Sequence, residues 1–128
     1  MGLTAKVIRL AWRSLDMLDP AQVARDMRRP EQLVARLREA ARPERRVVVV
    51  LQEDDKLFSL VLAALIALRD ELEGDLVLVA SEPRQLDVIA LLGLTSVLPR
   101  FASVDEALAA KGWRRAAAEA VVAYEILD

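Results

Sequence analysis

The sequence predicts an α/β fold, with helices layered on a sheet. Residues 47–51 (Val-Val-Val-Val-Leu) and 76–80 (Leu-Val-Leu-Val-Ala) are continuous apolar runs, the pattern of strands buried on both faces. Around them stand stretches with helical spacing and with helix start and stop residues. Strands and helices that alternate along a chain pack as layers.

The elements follow in order. Residues 6–12 are rich in β-formers and alternate loosely, which predicts a first strand. Asp19 and Pro20 start a helix as N-cap and first helical residue, with Val23 and Met27 turned inward, and Pro30 interrupts it. A longer helix is expected over 31–41, with Leu33, Val34, Leu37 and Ala41 on its apolar stripe. Pro43 ends it, and the run at 47–51 is the second strand.

Residues 57–68 are apolar except for Ser59. That is too short to span a bilayer, which takes about 20 apolar residues. It predicts a helix to Leu72 that is apolar on every side, hence either deeply buried or covering a partner. Leu57, Leu60, Val61, Ala64, Leu65, Leu68 and Leu72 form the stripe expected to face the sheet. Phe58, Leu62, Ala63, Ile66 and Ala67 fall on the opposite side and are the expected partner interface.

After the strand at 76–80, a helix is expected from Pro83 to Leu92, stopped by Gly93. Residues 97–101 form a short strand whose Pro99 places it at an edge or strand end. Ser103 and Glu106 make a capping box for a helix to Ala110. The final helix is expected over 113–127, with Trp113, Ala116, Ala117, Ala120, Val121 and Tyr124 on one stripe, docked on the same domain or on a partner. The organisation is then one domain over 1–112 and an extra C-terminal helix over 113–128.

Composition narrows the chemistry. The chain has no cysteine and no histidine, so thiolate chemistry, disulfides and the commonest general base and metal ligand are excluded. Its four glycines make neither G-x-x-x-x-G-K-[ST] nor G-x-G-x-x-G, so phosphate-cradling loops have no candidate. Glu53, Asp54 and Asp55 follow a buried strand, where α/β folds often place ligands. Three carboxylates could bind magnesium, but capping and favourable charge at a helix start explain Asp54 and Asp55. No metal site, cofactor or catalytic residue is expected. Residues 1–46 hold 11 Lys/Arg against 6 Asp/Glu, and residues 47–128 hold 7 against 14. The basic half could meet an acidic partner or a phosphate backbone. A solvated helix face with intramolecular complementarity is the preferred account, and no nucleic-acid partner is expected. No continuous apolar h-region follows Lys6 and Arg9, so a cytoplasmic protein without membrane insertion is the expectation.

Residues 47–110 resemble a STAS domain, the family of anti-sigma factor antagonists. The resemblance is carried by residues 76–79 with Pro83, by Leu91-Leu92-Gly93-Leu94, by Val97-Leu98-Pro99, and by residues 103–108. Arg13-Ser14-Leu15-Asp16 resembles the family's G-x-L-D turn loosely, and residues 17–30 look inserted. The resemblance implies a mixed sheet of about four strands with helices packed on it. The family's D-S-x-G motif falls on Phe58-Ser59-Leu60-Val61, where only the serine is kept. Ser59 is thereby a candidate phosphoacceptor, although Asp and Gly of the motif are replaced. The implied function is a non-catalytic interaction or regulatory module that binds through the helix at 57–72. Its partner would be an anti-sigma-type kinase, an ABC-type ATPase of a lipid transporter, or a second copy in a homodimer. A phospho-switch at Ser59 and a small-ligand carrier using the strand ends near residues 53–55 are the alternatives.

Overall fold

The computed structural model describes residues 3–13, 30–51, 59–73, 75–80, 83–91, 93 and 96–125. In chain order these form β1 (Leu3–Arg13), α1 (Pro30–Ala41), β2 (Arg46–Val50), α2 (Ser59–Glu71), β3 (Leu76–Val79), α3 (Pro83–Leu91), β4 (Arg100–Phe101), α4 (Val104–Lys111), β5 (Trp113–Arg115) and β6 (Ala120–Glu125). The α/β alternation is present. The helix expected over 20–29 lies outside the described residues.

The strands lie in the order β4-β3-β2-β1-β5, with β6 also on β1. Every described pairing is parallel. The sheet therefore differs from the expected mixed sheet of about four strands in both direction and number. A parallel sheet needs a crossover between consecutive strands, and the order shows where those crossovers run. From β1 the chain steps outward through β2, β3 and β4. It then crosses back over the sheet to the far side of β1.

Right-handed crossovers of opposite sense put their helices on opposite faces, and the two cores record this. On one face Leu33, Val34 and Leu37 of α1, Val61, Leu65 and Leu68 of α2, and Ile89 of α3 pack on Ile8, Leu10, Val47, Val49, Leu76 and Leu78. On the other, Val104, Ala107 and Leu108 of α4 pack with Trp113 on Ala5, Val7, Val48, Val50, Val77 and Val79. The four residues 47–50 are buried alternately in the two cores, which explains the unbroken β-branched run.

The last part of the chain corrects the expectation of a helix over 113–127. Leu3 to Ala5 pair with Trp113 to Arg115, and Ile8 to Arg13 pair with Ala120 to Glu125. Both segments lie on the edge of β1 that β2 leaves free, so β5 and β6 are one strand with a break. Opposite the break, Lys6 and Val7 face four residues, 116–119, an enlarged form of a β-bulge. Alanine favours helix, but the free edge of a parallel sheet supplies ladder bonds that an isolated helix cannot replace. The segment belongs to the sheet of the main domain. The expected strand over 97–101 shortens to Arg100–Phe101.

The local signals at α4 hold. Ser103 Oγ accepts the Glu106 backbone N–H at 3.1 Å, and Glu106 Oε2 accepts that of Ala102 at 3.1 Å. Gly112 ends the helix with φ 69°, in the left-handed region that glycine tolerates without strain.

Candidate functional site

The helix singled out by sequence, α2, starts at Ser59 after the central strand β2. Phe58 and residues 53–55 lie outside the described residues, as do the side chains of Ser59 and Leu60. The motif position is therefore visible only as a helix start. Among the expected inward residues, Val61, Ala64, Leu65 and Leu68 are fully buried and Leu72 is half-buried.

The expected outer face is only partly outside. Ala63 and Ala67 are exposed and Ile66 is half-buried. Leu62 is 4% exposed and belongs to the core, which removes it from the expected interface. The cause is the position of α2 in the middle of its layer. Arg38 of α1 holds Glu71, donating from Nε to Oε2 at 2.9 Å. Leu62 and Glu71 are nine residues apart, half a turn around the axis at 100° per residue. One flank of α2 is thus bound to α1, and Leu62 is buried on the other. Among the described side chains of α2, those outside form a ridge of Ala63, Ala67, Asp70 and Glu71, with Ile66 half-buried at its margin. The hydrogen bonds from Arg38 hold the Glu71 carboxyl below the usual glutamate range and raise the Arg38 guanidinium.

A second region has no local sequence signal. Where β1 separates strands that depart in opposite senses, the sheet has its topological switch point, and folds of this type bind ligands outside the strand carboxyl ends there. At that end Trp12 is the register partner of Tyr124, and Arg13 of Glu125. Two of the five aromatic residues in the chain, and one basic and one acidic residue, are thereby register neighbours on adjacent strands.

Further back on the α4 side, a line of alternating charges crosses the break. Arg9 Nε donates to Glu119 Oε2 at 2.9 Å. Arg115 lies 3.5 Å from Glu119 and 3.6 Å from Asp105 at the start of α4. Arg9 chiefly, through its hydrogen bond, holds the Glu119 carboxyl below its usual range. Arg9 and Glu119 are 110 residues apart in sequence, so no local pattern announces them. Beside them Val121 is 62% exposed.

Among the described residues, no group of three or more acidic side chains is placed to hold a metal ion, and no helix is long and apolar enough to cross a membrane. Comparison with known proteins finds no matching family model, no matching curated protein and no matching solved structure.

Proposed function

We propose that the chain is a non-catalytic, STAS-like interaction module whose partner docks on the outer ridge of α2. The observation that carries this reading is the exposure of Ala63 and Ala67 beside half-buried Ile66, on the helix that follows the central strand. Small side chains let a partner helix approach closely, and Ile66 supplies an anchor at the margin. The element order from β2 to α4, strand and helix alternating through residues 46–111, supports the STAS-like reading over the stretch where the motifs lie. The partner class follows from that resemblance: a nucleotide-binding protein of the anti-sigma-kinase or ABC-ATPase kind.

A photo-crosslinking residue placed at Ala63 or Ala67 in the native host tests this. A position-specific adduct with such an ATP-binding protein is expected, absent when the same residue replaces exposed Ala109 on α4. Ala63→Glu should abolish an adduct formed from position 67 while leaving the thermal midpoint unchanged. Equal labelling at 63, 67 and 109, or an adduct indifferent to Ala63→Glu, overturns the proposal.

A further inference from the structure

The two edges of the sheet are unequal. An open strand edge offers unpaired N–H and C=O groups to any second strand, and stable monomers blunt it by shortness, charge or irregularity. β4 is two residues long. β5 carries exposed Arg114 and Arg115 and runs into the break at 116–119. β6 has none of these devices. Its first five residues, Ala120-Val121-Val122-Ala123-Tyr124, contain no charge, glycine or proline. Among the described residues, no strand pairs with its outer edge. One face of β6 is covered, with Val122 4% exposed in the core below α1. On the other face Val121 is 62% exposed, while α4 packs on β2 to β5.

We infer that β6 is an interface between two copies of this chain, joined by antiparallel β6–β6 pairing about a two-fold axis. Two-fold symmetry makes the contact self-complementary. Antiparallel neighbours are related by an axis perpendicular to the sheet, and such an axis keeps each face on its own side. The face under α1 to α3 then continues into its counterpart, and Val121 of both copies lies on the same open face. Residues opposite each other must share a face, so the axis passes through a residue. Centred on Val122, the pairing sets Glu119 against Glu125 of the second copy. Centred on Val121, it uses only residues 120–122 before the break intervenes. Centred on Ala123, it uses residues 121–125 and sets Glu125 against Val121, with no acid opposite an acid. The Ala123-centred register is the one that charge and strand length favour.

The inference is independent of the α2 reading, and one experiment separates them. The chain has no cysteine, so Ala123→Cys carries a single thiol. Antiparallel partners have Cα atoms about 4.5–5.5 Å apart, within the roughly 4.4–6.8 Å that a disulfide spans. The full chain should sediment as a dimer. Ala123→Cys should cross-link quantitatively on mild oxidation, and Ala109→Cys on α4 should not. Val121→Glu, which sets an acid against Glu125 of the second copy in this register, should shift the chain to monomer with unchanged circular dichroism, and Ala63→Glu should leave the dimer intact. A monomeric wild type, equal cross-linking at positions 123 and 109, or a dimer that survives Val121→Glu overturns the inference. A dimer dissolved by Ala63→Glu overturns it in favour of self-association through α2.

Discussion

Glu119 and Glu71 do similar work at two distant places. Glu119 ties the break between β5 and β6 to Arg9 of β1, and Glu71 ties α2 to Arg38 of α1. Both pairs are well over a third exposed or close to it, so solvent and salt weaken them and each adds little to global stability. Their effect is visible in its pH dependence. Both carboxyls are held below their usual range in the folded chain. The unfolded chain therefore takes up protons first, and the contribution is full above about pH 4.5 and fades as pH falls further. An Arg9→Ala, Arg38→Ala chain should lose less stability than wild type between about pH 5 and 3 by urea unfolding. Identical acid profiles would show that neither pair persists in solution. Sequence could not have matched these partners: the four residues are unremarkable charges in segments 110 and 33 residues apart.

At the scale of elements, α2 and the β5–β6 strand differ in how much their sequence disclosed. The inward stripe of α2 was legible from spacing alone, because a helix has only one way to present i, i+3 and i+4 together. The width of its buried arc was not, because it depends on neighbours on both flanks. Leu62→Ala should therefore cost about 2–5 kcal/mol, as for other buried leucines. Ala63→Glu, one residue on, should fall within about ±0.5 kcal/mol. Equal costs in chemical denaturation would mean that α2 is rotated from the orientation described. The C-terminal segment misled for a related reason. Its alanines favour helix, and Val121 and Val122 favour strand only weakly against them. The deciding interaction is the free edge of β1, more than a hundred residues upstream. The Ser103–Glu106 cap was legible because its hydrogen bonds close within four residues.

For the whole molecule, the runs at 47–51 and 76–80 disclosed a sheet covered on both faces, but not that its last strand returns to the far side of β1. That return makes β5 and β6 part of the fold. Removing residues 116–128 takes away Val122 and uncovers Ile8 and Leu10, which are fully buried. The thermal midpoint should drop by about 8 °C or more, equivalent to at least about 2 kcal/mol. An appended helix would leave it unchanged. The same neighbourhood has a mechanical consequence. β1 opens the described chain and β6 closes it, and the two lie side by side pointing the same way. Tension applied to the amino end of β1 and the carboxyl end of β6 pulls these strands in opposite directions along their length. The ladder from Ile8–Ala120 to Arg13–Glu125 is then loaded in shear, all its bonds at once, instead of being peeled one bond at a time. A pulled chain of this topology resists at its ends, where many proteins give way first.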